Sequence, residues 1–135
     1  ANIVREGSGV AILNFGVLLD QALAAGEALD ATVVDMRWVK PLDEAVILSL
    51  VAQHRCLITF EENAIAGGAG SGVAELLTRE EVKFAIRHIG IPDAFIAHAG
   101  QGECRQLAGL TADAIIAAAG DAGASVLAPP SQKAV

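Results

Sequence analysis

Cys56-Leu57-Ile58-Thr59-Phe60-Glu61-Glu62-Asn63-Ala64-Ile65-Ala66-Gly67-Gly68-Ala69-Gly70-Ser71-Gly72-Val73 is the stretch whose reading decides the fold. Residues 56–60 are a short apolar run of the kind that forms a buried strand. Glu61 and Glu62 stand at its carboxyl end, a glycine-rich turn follows, and Val73, Leu76 and Leu77 then recur on one helical face. Strand, short turn and amphipathic helix make half of a parallel crossover unit, because parallel neighbours need a helix-sized connection.

The same alternation extends both ways. Upstream, residues 3–5 and 10–13 flank Glu6-Gly7-Ser8-Gly9, a hairpin signal that predicts a first strand antiparallel to the second. Leu19, Ala22, Leu23 and Gly26 fall on one helical face, and Gly26 permits close approach to a sheet. Residues 31–36 are β-rich. Asp43 is an N-cap for a helix whose inner face is Val46, Ile47, Leu50 and Val51, with Leu42 and Ile47 spaced as a hydrophobic staple. Downstream, residues 84–89 predict a strand ended by Gly90 and Pro92, with Phe84, Ile86 and His88 on one face. A short helix over 103–108 and a last helix from Thr111, burying Ala112, Ile115, Ile116 and Ala119, complete the series. The expected fold is α/β: three layers, a mostly parallel twisted sheet with an antiparallel first strand, and helices on both faces. One domain over 1–120 and a disordered tail over 121–135 are expected.

Composition narrows the function classes. Hydrophobic residues make up 53 % of the 135, enough for a core, while aromatics are only 4 %. The net charge of −7 argues against a nucleic-acid or anionic-membrane surface. No apolar run reaches the roughly 18 residues of a membrane span, and no signal pattern opens the chain. Ala1-Asn2-Ile3 reads as a chain entered partway. Cys56, in an apolar run, is expected in the core, and it and Cys104 read as free thiols.

Each candidate motif has a chemical and a structural reading. Glycines at a strand–helix turn can cradle phosphate on bare N–H groups. Both nucleotide templates fail at Val73, however, which stands where one needs glycine and the other lysine. Gly67, Gly68 and Gly70 therefore read better as a loop packing closely against another domain. Glu61 and Glu62, as strand neighbours, point to opposite faces and cannot share a proton; bonds to the glycine loop or to a basic residue are the favoured roles. Arg37, Trp38 and Lys40 follow the 31–36 strand. Arginine and a loop tryptophan are interface-anchor types, and a local Asp35–Arg37 ion pair under a tryptophan lid on the core is the equal alternative. His54, His88 and His98 lack metal-ligand spacing. Connections after successive parallel strands leave on one edge. Arg37, Trp38, Lys40, Glu61, Glu62, Gly67, Gly68 and Gly70 are thus expected together there as domain-interface candidates.

Residues 34–43, Val-Asp-Met-Arg-Trp-Val-Lys-Pro-Leu-Asp, and residues 60–73 resemble two signature segments of the 1-deoxy-D-xylulose 5-phosphate synthases. Residues 11–16, 89–93 and 107–113 fit the same family in the same order. The resemblance covers roughly residues 3–118; transketolases and pyruvate dehydrogenase beta-type subunits are similar more loosely. Trp38 departs from the usual phenylalanine, and Ala99-Gly100-Gln101-Gly102 alters a local turn.

The resemblance implies a transketolase-type C-terminal domain of a homodimeric cytoplasmic enzyme. That enzyme joins pyruvate to glyceraldehyde 3-phosphate with loss of carbon dioxide, for isoprenoid, thiamine and pyridoxal synthesis. It implies thiamine diphosphate and magnesium held by N-terminal and middle domains, whose Gly-Asp-Gly motif and activating glutamate have no counterpart here; Gly120-Asp121-Ala122 lacks the third glycine. No catalytic, cofactor-binding or metal-binding residue is carried over, and this chain by itself is expected to be inactive. The alternative is a free-standing module holding a small anion at the Gly67–Gly72 loop.

Overall fold

The computed structural model describes residues 1–122. Its strands are β1 (Asn2–Arg5), β2 (Val10–Phe15), β3 (Thr32–Asp35), β4 (Cys56–Ala64) and β5 (Ala85–Ile91). Its helices are α1 (Leu19–Leu29), α2 (Glu44–Gln53), α3 (Ala69–Arg79), α4 (Gln101–Leu107) and α5 (Ala112–Asp121). The strands form one sheet in the order β1-β3-β2-β4-β5. All neighbours are parallel except β1, which runs antiparallel. The expected mixed α/β class is therefore the observed one.

Two apolar clusters make the three layers. Alternate residues of β2 point to opposite faces. Val10 and Ile12 join Ile58 and Phe60 under α1 and α5, with Ala22, Ala25, Ile115 and Ala119. Ala11 and Leu13 join Val34 and Leu57 under α2 and α3, with Ile47, Leu50, Val73 and Leu76. Small residues set the spacing: a Cβ on Gly26 would overlap Val33 Cγ2, so α1 sits against β3 at a distance only glycine allows. The caps fall where the residues put them. Asp43 accepts the Val46 N–H at 3.3 Å and Thr111 accepts the Ala114 N–H at 3.2 Å, each satisfying a helix-end donor.

Three expectations need correction. β1 is antiparallel but does not pair with β2; it pairs with β3, Ile3 opposite Val34. Both edges of β2 are already filled by β3 and β4. The Glu6–Gly9 link passes over the entrance of β3 instead of turning back. Ser8 N–H donates to Asp30 O at 2.6 Å, and a Cβ on Gly7 would lie 2.6 Å from Ala31 O. β4 continues past Phe60 to Ala64, and β5 passes through Gly90 to Ile91. Gly90 does not end its strand: a Cβ there would sit 2.7 Å from Asn63 O, so glycine lets the two strand ends stay adjacent. The expected tail starts inside α5, which includes Asp121, and residues 123–135 lie outside the described residues.

Candidate functional site

The chain leaving β2 crosses to β3 on one side, and the chain leaving β4 goes to β5 on the other. The crevice between the carboxyl ends of β2 and β4 is therefore the topological switch point, where open α/β sheets place their sites. A cleft of about 190 Å³ occurs there, lined by Phe15, Gly16, Arg37, Val39, Glu61, Glu62, Asn63 and Ala69. A groove of about 490 Å³ runs beside α3, with Val39, Lys40, Gly68, Gly72 and Arg79 among its walls. Arg37, Glu61 and Glu62 thus share one concavity, Lys40 and Gly68 the next, and Val39 and Ala69 border both. Trp38 lines neither and stands 65 % exposed on the rim.

Glu61 is 2 % exposed and aims at the glycine loop. Its two oxygens accept the Ala69 N–H at 2.7 Å and the Gly70 N–H at 2.9 Å. These are first-turn donors of α3, which have no partner within the helix, and the positive end of the helix dipole favours the carboxylate. The glycines follow from this contact. A Cβ on Gly68 would lie 2.5 Å from Glu61 Oε2. One on Gly70 would lie 2.5 Å from Thr59 Oγ1 and 2.6 Å from His88 Nδ1. Gly67 has φ +75°, a left-handed conformation that glycine adopts without cost to a side chain. Ser71 closes the loop, its Oγ accepting the Gly67 N–H at 3.0 Å and donating to Ile65 O at 3.2 Å. Below it, the Thr59 hydroxyl and His88 Nδ1 are 2.7 Å apart, and burial lowers the His88 pKa while Glu61 opposes the shift more weakly. Sequence reasoning missed Ser71 and the Thr59–His88 pair. The available signal was the i, i+2 placement of Thr59 and Glu61 on one strand face.

Glu62 points the other way. Arg105 Nε and Nη2 donate to its two oxygens at 2.8 and 3.1 Å, a forked pair that holds the carboxyl below the usual range. The expected opposite orientations, and both favoured partner types, are observed. Arg105 itself was not foreseen, because nothing in the spacing links positions 43 residues apart. β3 ends at Asp35, so Asp35 and Arg37 do not share a strand face. Arg37 turns left-handed at φ +60° while its N–H donates to Asp35 Oδ1 at 3.2 Å. Among the described residues no Asp35–Arg37 ion pair forms, and the exposed Trp38 is not a lid on the core.

The remaining titratable candidates are scattered. His54 bonds Thr32 Oγ1 at 2.8 Å and Leu50 O at 2.9 Å, and His98 is exposed. Cys56 is buried, which raises its thiol pKa, and both cysteines are free. Asn14, at the carboxyl end of β2, donates to Gly16 O at 2.9 Å while its buried Oδ1 has no partner among the described residues. No three His, Cys, Asp or Glu side chains among the described residues gather as a metal cluster. A diphosphate with a divalent metal does not fit these residues: the α3 donors are already occupied by Glu61, and no carboxylate set faces them. The free cations of the switch-point edge are Arg37 and Lys40, which have no ion-pair partner among the described residues.

Comparison with known proteins agrees with this architecture. A 1-deoxy-D-xylulose-5-phosphate synthase of Proteus mirabilis is 55 % identical over 113 residues, 84 % of this chain and 18 % of that protein. The same-named protein of Aeromonas hydrophila is 56 % identical over 108 residues, 80 % of this chain and 17 % of its own length. The chain thus spans less than a fifth of these curated relatives. A solved structure titled "Split gene transketolase, inactive beta4 tetramer" superposes with a TM-score of 0.83 at 32 % identity, covering 90 % of this chain and 41 % of that one. The family profile described as "Transketolase, C-terminal domain" matches residues 1–115, and this chain belongs to that family.

Proposed function

We propose that this chain is the C-terminal docking domain of a 1-deoxy-D-xylulose 5-phosphate synthase. The carrying observation is identity above 50 % to curated synthases over most of this chain. In this reading the whole enzyme joins pyruvate to glyceraldehyde 3-phosphate with release of carbon dioxide. Thiamine diphosphate supplies the carbanion chemistry when bound, with magnesium on its diphosphate, and both belong to the N-terminal and middle domains. The whole enzyme works as a cytoplasmic homodimer. No helix among the described residues is long and apolar enough to cross a membrane.

This domain's own part is contact. Glu61, Gly67, Gly68 and Gly70 build a rigid edge whose N–H donors are satisfied internally, and Glu62 fixes α4 beside it. Arg37, Trp38 and Lys40 project from that edge with no partner of their own, the arrangement an interface anchor takes. The anion-module alternative is disfavoured by the same geometry: an incoming phosphate would have to displace the Glu61 carboxylate from two short bonds. Calorimetry of this chain with phosphate and diphosphate tests that alternative, and no binding is expected.

The function is tested in a chimera in which this chain replaces the matching 113 residues of the Proteus mirabilis relative. Given pyruvate, glyceraldehyde 3-phosphate, thiamine diphosphate and magnesium, the chimera is expected to form product and the isolated chain none. Product from the isolated chain, or an inactive chimera that still binds thiamine diphosphate, would overturn the reading.

A further inference from the structure

In the segment between β5 and α5, Ala108, Leu110 and the partly buried Ile96 join the core under α1 and α5, and the rest lies outside it. α4 buries none of its residues. Its Leu107 is 61 % exposed, and Phe95, in the irregular stretch before it, is fully exposed. A cavity of about 250 Å³ separates α4 from the start of α1, with Leu18, Gln21, Arg105 and Leu110 among its walls. Among the described residues, the side-chain hydrogen bonds from residues 92–107 to the rest of the sheet are those of the Glu62–Arg105 fork; Cys104 Sγ reaches Ala99 O at 3.5 Å and Ala97 O at 3.9 Å, both within the same segment. A seven-residue helix is not stable alone in water, and helices in proteins draw their stability from a buried apolar face. A single ion pair that solvent still reaches contributes little in its place.

The distribution of exposed apolar side chains points the same way. Of seven large ones among the described residues, all but Ile3 and Val4 lie on connections that follow the parallel strands: Val17 after β2, Trp38 and Val39 after β3, Phe95 and Leu107 after β5. Arg105 holds α4 to the carboxyl end of β4, so this last pair shares the edge with Trp38.

We infer that residues 92–107 form a second docking arm for the preceding domains of the synthase, with Phe95 and Leu107 as its apolar anchors. The Glu62–Arg105 fork is the latch that sets the arm's position. The inference rests on the docking reading and extends it from the β3–β4 side to the β5 side of the edge. The occupant is the remainder of the polypeptide, because the relatives carry more than four-fifths of their length outside the matched segment. A second copy of this chain is disfavoured, since each copy brings a net charge of −7.

Amide exchange compares the isolated chain with the chimera described above. In the chimera, residues 92–107 are expected to exchange about tenfold more slowly or better, and Phe95→Ser with Leu107→Ser is expected to abolish that protection. Phe95→Ser alone, at a fully exposed position, replaces the double variant if the latter fails to fold. Equal exchange of the arm in both proteins, with residues 36–40 protected in the chimera, overturns the arm and leaves the docking reading standing. No added protection at either segment overturns both. Protection of the arm in the isolated chain that rises with its concentration assigns the surface to self-association and overturns the inference.

Discussion

Glu61→Ala is expected to be the most damaging single change at the switch-point edge. The carboxylate is 2 % exposed and accepts two backbone donors at 2.7 and 2.9 Å. Each charge-assisted bond of this kind contributes about 1.5–3 kcal/mol. The cleft lets water reach the vacated donors in the variant, which keeps the loss near the lower end, about 3–4 kcal/mol for the pair. For a domain of this size that corresponds to a fall of about 10–15 °C in Tm. Helical circular dichroism is the appropriate probe, because the single tryptophan sits exposed on a loop and reports poorly on the core. Glu61→Gln is expected to lose about 2–3 kcal/mol, since its amide offers one acceptor and turns its NH2 toward an N–H donor. Formate or acetate should raise the Tm of Glu61→Ala and leave the parent chain unchanged, because only the variant has free donors at the start of α3. A loss below about 1 kcal/mol in both variants, with no response to carboxylates, would refute the idea that Glu61 locks the loop.

Gly70→Ala should lose about 1–3 kcal/mol by overpacking against Thr59 and His88, whereas Gly72→Ala, in the same helix with open space at its Cβ, should be neutral or gain up to about 1 kcal/mol; urea melts of the two separate packing from helix propensity. Trp38→Ala should change the stability of this chain by no more than about 0.5 kcal/mol, as expected of an exposed side chain, and a loss of about 3–5 kcal/mol in urea would mean that it belongs to the core after all. His88 is held below its ordinary 6.5, so its contribution is fully present above that value and is lost as pH falls below it toward the lowered folded-state value, because the unfolded chain takes up the proton first; a stability–pH slope just below 6.5 that His88→Gln fails to reduce would count against this. The Glu62 carboxyl, lowered by Arg105, acts in a separate window: its contribution is present above the ordinary 4.5 and lost as pH falls through the lowered value, so Arg105→Gln should flatten the acid limb alone.

The residues alone determined the alternation of strands and helices, the antiparallel sense of β1, the cap at Asp43, the start of the last helix at Thr111, and the inner faces of α2, α3 and α5. These are local quantities: a period of two or 3.6 and a capping side chain are written within a few positions of one another. The opposite orientations of Glu61 and Glu62 were legible for the same reason, since strand neighbours must diverge. Tertiary structure decided what those side chains meet. β1 joins β3 because β2 has no free edge, a condition set by β3 and β4. Arg105 reaches Glu62 across 43 positions, and Gly68 and Gly70 are small because a carboxylate, a hydroxyl and an imidazole from two other strands occupy the space a Cβ would need. Neither distance in sequence nor composition encodes such contacts, which exist only once packing has brought the carboxyl ends of the strands together.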